Sequence, residues 1–332
     1  MFTAKRSFPI NNPVPVAGGT SLYAITKGMI EQGVLISVLY SVNVTGAGAA
    51  VRARSLPIRR ISLIGDNNKT LQAWYARDLI AIAQIFEQTP LGALLVPASA
   101  AALANYTNLE AHVPLKFEQM RAKDSDRTAL PTYAYQNLTL AIEWGNVADL
   151  FTDGGTLAGA ITFTANGATV TQLDYADVVI PNANVARSIA RQMDVSVGRY
   201  LELVQGAVAN AAAEIDLGTT ADIRGLLLAS ELTSTGEPTN TIVNSVTLKE
   251  DRTLDVIAGV PWASLRAENS KHFGLTMPAG YAVIDFADDG DARRQSIYRA
   301  TQKAKVQQLF NTAAVAGTVR VALLTIEPPI RV

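Results

Sequence analysis

The chain has 332 residues, of which 48% are hydrophobic and 17% are charged, and its 28 basic and 29 acidic residues leave a net charge of −1. The length suggests about two domains, and the composition provides enough apolar surface for a core and excludes a disordered chain. No basic field is present to hold a phosphate backbone, so we expect no nucleic-acid partner, whether bound by charge or by sequence. The absence of cysteine excludes disulfides and thiolate metal sites.

The first 18 residues predict an extended arm. Lys5 and Arg6 are not followed by an apolar run, which excludes a signal peptide, and the prolines and asparagines of this segment give no core-forming pattern. The longest apolar stretch, residues 90–106, is interrupted by Pro97 and is too short to span a bilayer. We therefore expect a soluble chain that is made in a cytoplasm.

Short strand patterns dominate the first half of the chain. They are rich in β-branched and aromatic residues or alternate apolar with polar positions, and several end at turn sequences. The predicted strands are residues 34–45, 59–64, 112–120, 137–144 and 168–175.

One helix is predicted in this half, over residues 77–88. Asp78 is expected to cap its amino terminus. The apolar residues that follow fall on one stripe, as in an amphipathic helix, and they are Leu79, Ile82, Ile85 and Phe86.

The second half repeats the order of the first. Residues 61–86 and 246–273 each begin with an alternating strand and pass through a polar turn and a basic-Thr-Leu step. Each then continues into a helical segment that ends in phenylalanine, at Phe86 and Phe273. The chain therefore contains an internal repeat.

The repeat continues beyond the helical segments. Strand 112–120 and its charged loop correspond to strand 281–286 and its charged loop. Strands 137–144 and 168–175 close the first half, and strands 305–310 and 318–326 close the second.

This order favours an all-β fold of two consecutive jelly-roll barrels with short inserted helices. A doubly wound α/β fold would need a helix after nearly every strand. The predicted organisation after the arm, residues 1–18, is a first jelly roll over 19–180, a connector over 181–194, and a second jelly roll with a C-terminal tail over 195–332.

Four stretches resemble one known family. They are a hairpin and helix at residues 60–86 and a strand-loop-strand segment at residues 113–145. The other two are an Ile-Arg-Gly-Leu strand before a long loop at residues 221–248 and a late strand before a turn at residues 280–290. In order and duplication they resemble the double jelly-roll major capsid proteins of tailless icosahedral bacteriophages of the tectivirus and corticovirus type, often membrane-containing. The resemblance covers the chain from Gly19 to Pro328.

The resemblance implies a structural protein of a virion shell, assembled in the host cytoplasm, with no enzymatic activity and no cofactor. It implies a homotrimer that forms a pseudo-hexameric capsomer. The expected partners are neighbouring capsomers, penton or minor capsid proteins, and the internal viral membrane where one exists. A minor capsid or vertex protein remains a variant of this hypothesis.

Two other classes of protein are alternatives. A carbohydrate-binding or carbohydrate-active β-sandwich would need exposed aromatic platforms and a carboxylate pair, whereas aromatic residues make up only 7% of the chain. A tailed-phage capsid protein would need a long spine-type helix, and no such pattern is present.

An acidic stretch at residues 280–291 is the first candidate site. Clustered carboxylates suit calcium, but the spacing is not that of an EF-hand loop and no closing glutamate follows. An Asp-Gly step directly after a strand favours a solvated turn. We therefore predict a turn, with calcium binding as the alternative role of its four aspartates, Asp285, Asp288, Asp289 and Asp291.

No catalytic motif is found. The two histidines, His112 and His272, fall at a predicted strand start and near a predicted helix end, and structural roles are expected for both. The sequence motifs of serine hydrolases, zinc proteases and P-loop ATPases are absent. Residues 45–51, TGAGAAV, lead into an arginine-rich segment rather than a helix, which favours a β-turn over a dinucleotide loop.

Basic residues supply candidates for assembly or for contact with a membrane. Four arginines within residues 52–60 could bind lipid head groups or a neighbouring subunit's carboxylates, although an exposed loop and strand start explains them as well. With three residues of the arm, the candidates are Lys5, Arg6, Phe8, Arg52, Arg54, Arg59 and Arg60.

Residues 233–241, TSTGEPTNT, are polar and lie between two apolar strands. They predict an exposed loop that tolerates insertions.

Overall fold

The fold is given by a computed structural model, and the chain divides into two compact units, Met1–Ser196 with Pro328–Val332, and Val197–Glu327. The structure describes residues 5–11, 15–28, 30–45, 57–90, 95–97, 105–118, 129–146, 160–175, 184, 195–205, 212–219, 221–233, 236–251, 254–286, 298, 300–303, 305–312 and 315–327.

The first unit contains ten strands and one α-helix in its described part. The strands are β1 Lys5–Asn11, β2 Thr20–Ala24, β3 Ile30–Thr45, β4 Ile58–Ile64, β5 Thr70–Tyr75, β6 Leu95–Pro97, β7 Asn105–Lys116, β8 Leu130–Pro131, β9 Thr139–Trp144 and β10 Ala160–Tyr175, and the helix is α1 Ala76–Phe86. One antiparallel sheet has the order β1-β10-β3-β7-β6, with β8 paired to the start of β3. The other has the order β2-β9-β4-β5.

The second unit contains eight strands and one α-helix in its described part. They are β11 Val195–Gln205, β12 Ala212–Asp216, β13 Asp222–Leu232, β14 Val243–Glu250, β15 Leu254–Pro261, α2 Trp262–Phe273, β16 Tyr281–Asp285, β17 Val306–Thr312 and β18 Gly317–Glu327. Its sheets have the orders β11-β18-β13-β16 and β12-β17-β14-β15.

The two units share one topology. The order β1-β10-β3-β7 in the first corresponds to β11-β18-β13-β16 in the second, and β2-β9-β4-β5 corresponds to β12-β17-β14-β15. Each helix follows the second strand of the same hairpin, β4-β5 or β14-β15. Two four-stranded antiparallel sheets in this order form a jelly roll. The predicted fold class and the predicted repeat are therefore confirmed.

The alternation of apolar residues explains which faces of the strands are buried. Strand side chains point to opposite faces in turn, so on β9, on β14 and on β3 from Ile36 onward one face lies in the core and the other is partly exposed. On β5, β13 and β16, by contrast, consecutive residues are buried. The inward set on β3 and β9 is Ile36, Val38, Tyr40, Leu140, Ile142 and Trp144. Burying one such aliphatic side chain contributes about 1.5–3 kcal/mol, and burial raises the pKa of Tyr40 to about 12.

The N-terminal segment differs from the prediction of an arm outside the core. Residues 5–11 form β1, which pairs antiparallel with β10 from Lys5↔Tyr175 to Asn11↔Val170. The register shifts between Pro9 and Asn11, where the ladder accommodates a residue that has no N–H. Since β1 occupies the place that β11 occupies in the second unit, it is the first strand of the first jelly roll, at an edge where proline is tolerated.

The predicted helix is present with shifted bounds, Ala76–Phe86. Its N-cap residue is Tyr75, so Asp78 lies in the first turn and is buried rather than capping the helix. The predicted apolar stripe is buried, and so is most of the remaining surface of the helix. Nine of its eleven residues are buried, whereas α2 buries only four of twelve.

The predicted loop at residues 233–241 is only partly exposed. Pro238 forms a β-bridge with Glu231, and the Thr239 N–H donates to the Ser230 carbonyl at 2.9 Å, so the described part of the loop folds back onto β13. Asn240 is exposed, yet its Oδ1 accepts hydrogen bonds from the Gly280 N–H at 2.8 Å and from Trp262 Nε1 at 3.4 Å. These contacts lead us to expect that insertions are tolerated poorly at residues 236–240.

Candidate functional site

The acidic stretch begins inside a strand and not in a solvated turn. Asp285 is the last residue of β16, and its side chain is 11% exposed. It forms an ion pair with Arg224 of β13, and His272 Nε2 of α2 lies 3.9 Å from its Oδ2. This carboxylate therefore joins two strands and a helix, and its position agrees with the strand predicted over residues 281–286.

The other three aspartates of the stretch, Asp288, Asp289 and Asp291, lie outside the described residues. Within the described ranges, no group of three or more histidine, aspartate or glutamate side chains is placed to hold a metal ion. Calcium binding by the four aspartates stays a hypothesis.

Asp285 belongs to a structural element that occurs once in each unit. Opposite β10, the strand β3 carries one extra residue, Gln32, between Glu31 and Gly33. Opposite β18, the strand β13 carries one extra residue, Arg224, between Ile223 and Gly225. A β-bulge bends a strand and re-aims its side chain.

The two bulges make the same main-chain contact. The Gln32 carbonyl accepts from the Phe117 N–H at 2.9 Å, and the Arg224 carbonyl accepts from the Phe286 N–H at 3.2 Å. The glycine after each bulge, Gly33 or Gly225, lies where a Cβ would approach a carbonyl oxygen of the neighbouring strand, to 2.5 Å in the first case and 3.1 Å in the second. Close strand approach therefore excludes a Cβ at position 33 unless the backbone shifts, whereas a Cβ at position 225 would need a shift of a few tenths of an ångström.

The side chains at the bulges differ between the units. In the first, Gln32 Nε2 donates to Glu118 Oε1, and the Tyr175 hydroxyl donates to Glu118 Oε2, both at 2.5 Å. In the second, the guanidinium of Arg224 pairs directly with Asp285. One position thus carries a neutral amide in one barrel and a buried ion pair in the other.

The first unit extends this polar centre through Gln172, which is fully buried. Its Nε2 donates to Glu31 Oε1 at 2.5 Å, and its Oε1 accepts from the Thr26 N–H at 2.8 Å. Buried polar groups are stable only when they are hydrogen-bonded. The network therefore fixes the β2–β3 loop onto β10.

The second unit has a separate polar centre at Glu250. Its Oε2 accepts from the Tyr298 hydroxyl at 2.5 Å, and its Oε1 accepts from Lys303 Nζ at 2.9 Å. The hydroxyl of Tyr298, followed by Lys303, holds the pKa of Glu250 below its usual value. Burial and the adjacent carboxylate raise the pKa of Tyr298, whose ring stacks on Phe286 at 5.2 Å.

One three-residue set looks catalytic and was not foreseen from the sequence. His112 Nδ1 lies 2.9 Å from Ser37 Oγ, and its Nε2 lies 3.5 Å from Glu110 Oε2. The signal was available, because Ser37 and His112 are register partners on β3 and β7, and Glu110 is two residues away on the same face. His112 lies inside β7 and not at a strand start, because that strand already begins at Asn105.

The described strands around this set do not supply the other groups that a nucleophilic site needs. An acyl-transfer site needs N–H donors aimed at the developing oxyanion. Strand β3 is paired on both sides at Ser37, with Thr169 of β10 and with His112 of β7, so the ladders engage the main chain there. The arrangement is a cross-strand polar cluster on a partly exposed sheet face.

The candidate assembly residues whose strands are described lie on two different sheets. Lys5, Arg6 and Phe8 lie on β1 at an edge of the β1-β10-β3-β7 sheet. Arg59 and Arg60 are exposed on β4 of the other sheet, and Arg59 Nη1 lies 3.7 Å from Glu143 Oε1. Arg52 and Arg54 lie outside the described residues.

Aromatic residues do not form a sugar-binding platform in the described part of the chain. All three tryptophans, Trp74, Trp144 and Trp262, are buried. The large apolar side chains that are exposed there are Val16, Leu22 and Val256, none of them aromatic. No described helix combines the length and the apolar character needed to cross a bilayer.

Comparison with known proteins gives matches at the level of structure. No protein-family model matches the chain, and no curated protein matches its sequence. The STIV MCP superposes with a TM-score of 0.72 at 16% identity, covering 98% of each chain, and STIV is the Sulfolobus Turreted Icosahedral Virus.

Two further solved structures are similar over nearly the whole chain. The major capsid protein P2 from bacteriophage PM2 has a TM-score of 0.60 at 13% identity and covers 97% of each chain. The Faustovirus major capsid protein has a TM-score of 0.66 at 10% identity, covering 98% of this chain and 90% of its own. This likeness establishes the double jelly-roll fold.

Proposed function

We propose that this chain is the major capsid protein of an icosahedral virus and forms the tiles of its shell. The observation that carries the proposal is the occurrence of two jelly rolls of identical strand order in one chain. Three copies of such a chain supply six similar lobes, and six lobes around a three-fold axis make a nearly six-fold tile that packs in hexagonal arrays. End-to-end similarity to capsid proteins supports the same function.

The finer parts of the proposal are a homotrimeric capsomer, neighbouring capsomers and penton or minor capsid proteins as partners, and assembly in the host cytoplasm. The internal viral membrane is a further partner where one is present. The similarity to the bacteriophage PM2 protein supports a bacteriophage origin. The candidate residues on β1 and β4 would serve contacts between copies or with lipid.

The proposed role requires no catalysis. It is supported by the arrangement of Ser37, His112 and Glu110 on a sheet face whose main chain is engaged in strand pairing. Replacing both His112 and His272 by glutamine would therefore leave assembly intact. Loss of a measurable enzymatic turnover in that variant would contradict a purely structural role.

Light scattering on the purified protein tests the trimer. Three copies of a 35.3 kDa chain have a mass of about 106 kDa. We expect that mass at micromolar concentration, and a monomer under the same conditions would contradict the proposed capsomer.

A further inference from the structure

The equivalent strands β5 and β15 differ in burial. On β5, the four consecutive residues Leu71–Trp74 are buried. On β15, Val256 is 39% exposed, Ala258 and Gly259 are exposed, and Val260 is half-buried. The shared topology gives both strands the same neighbours within their own barrels, since β5 pairs with β4 and β15 pairs with β14.

The exposed part of β15 has the composition of an interface core. Val256, Ala258 and Gly259 are exposed and carry no charge, while Ile257 and Val260 pack partly against the core of their own barrel. Depletion of charge is what distinguishes the centre of a protein interface from the remaining surface. Edge strands that stay in water usually carry charged residues. The described edge strands that serve for comparison carry polar side chains, Thr20 and Ser21 on β2 and the exposed Glu214 and Asp216 on β12, whereas residues 256–260 have none.

The shape of β15 limits the kind of contact. Its register with β14 shifts twice, between Val260 and Ile257 and between Ile257 and Asp255. The Gly259 N–H is already bound to Thr247 Oγ1 at 2.9 Å. Bulges of this kind prevent a regular ladder from being added at an edge, so a partner would meet the side chains of β15 and not its main chain.

We propose that the exposed surface of β15, residues 256–260, is the surface on which a second copy of this chain docks. The inference rests on the proposed trimeric capsomer. The occupant is a second copy because the equivalent strand of the first barrel is buried within the chain, whereas in the second barrel the same element is left exposed. A closed ring of three copies covers such a surface by a heterologous contact, in which each copy offers β15 and receives the β15 of another.

Charge substitution on β15 tests the proposal, with β2 as the matched control. Val256→Glu places a charge in the proposed contact, and Leu22→Glu places one on another edge strand, at a side chain that is 65% exposed. We expect Val256→Glu to shift the mass in light scattering from about 106 kDa to about 35 kDa, the masses of three chains and one. Leu22→Glu is expected to keep the trimer.

The outcomes separate this proposal from the proposed function. If Val256→Glu and Leu22→Glu both stay trimeric, or if both become monomeric, β15 is not the docking surface. The proposed trimeric capsomer would stand in either case. A wild-type protein that is already monomeric would overturn the capsomer. Circular dichroism is used to check that each variant keeps its fold. If Val256→Glu does not fold, Ala258→Glu takes its place as the variant of β15.

Single cysteines provide an independent readout because the chain contains no cysteine of its own. Ala258→Cys is expected to react with a maleimide several-fold more slowly in the trimer than in the diluted monomer. Leu22→Cys is expected to react equally fast in both. Equal rates in trimer and monomer for Ala258→Cys would contradict docking on β15.

Discussion

The two barrels solve the same structural problem with different chemistry. Both need a bulge in the long strand β3 or β13, and both place an acidic side chain opposite the bulged residue. The first barrel uses Gln32 with Glu118, and the second uses Arg224 with Asp285. The two barrels therefore share the position of the bulge, the following glycine and the Phe N–H contact, whereas the chemistry of the side-chain pair differs between them.

The helices of the two barrels also differ in chemistry, although they occupy equivalent places. Helix α1 is apolar and almost wholly buried, and α2 exposes charged residues along one side. Similar folds therefore present different surfaces, and in the proposed tile each barrel would meet a different set of neighbours.

Removal of β1 gives the largest expected effect. Deleting residues 1–11 removes the ladder that runs from Lys5↔Tyr175 to Asn11↔Val170 and exposes the edge of β10. Because each hydrogen bond contributes about 1 kcal/mol, we expect a loss of several kcal/mol in the first barrel, measured by chemical denaturation. Unchanged stability together with impaired shell formation would restore the interpretation of this segment as a free arm.

Replacing the two bulge residues is expected to lower the free energy of unfolding by clearly different amounts. Arg224→Met leaves Asp285 without its cation in a mostly buried place, and breaking a buried ion pair costs about 3–5 kcal/mol. Gln32→Leu removes one neutral donor from Glu118, which keeps the Tyr175 hydroxyl, and costs about 1 kcal/mol. Urea denaturation measures both, and equal losses would show that the two pairs are energetically equivalent.

The loss of stability on replacing each glycine after a bulge by alanine is expected to be larger where the neighbouring carbonyl oxygen is closer. A Cβ on Gly33 would lie 2.5 Å from the Leu115 carbonyl oxygen, whereas one on Gly225 would lie 3.1 Å from that of Ile284. Gly33→Ala forces the strands apart and should cost about 1–3 kcal/mol, with Gly225→Ala costing less. Thermal unfolding of the two variants checks the order, and the reverse order would refute the argument from close approach.

The smallest expected effect is a loss of stability at acidic pH, and we expect it to arise from the second barrel. The pKa of Glu250 is lower in the folded state than its ordinary value of 4.5, so the unfolded state binds the proton more readily. The stabilisation from this group is therefore fully present above about pH 4.5 and is lost as the pH falls through the folded-state pKa. Glu250→Gln should flatten that part of the stability–pH curve, and an unchanged curve would remove Glu250 as the cause.

Much of the fold could be predicted from the sequence because strand alternation and the helix after each hairpin are local patterns. The match of residues 112–120 with 281–286 was correct, since Phe117 and Phe286 make the same contact with the two bulges. The bulges themselves also leave a signal in the sequence, Gln32-Gly33-Val34 against Arg224-Gly225-Leu226.

Other features depend on contacts between residues that are far apart in the sequence. The pairing of β1 with β10 joins residues more than 150 positions apart, and nothing local distinguishes an edge strand with a proline from an arm. The partner of Asp285 is likewise distant in sequence, because Arg224 lies 61 residues away. The exposure of β15 could not be predicted, because residues 256–260 have the composition of a buried strand.

Electron cryo-microscopy of the purified protein tests the central claim most directly. We expect class averages of a three-fold particle whose outline is nearly six-fold, with two barrels contributed by each chain. Particles that contain a single pair of barrels, or that associate with two-fold symmetry, would contradict it.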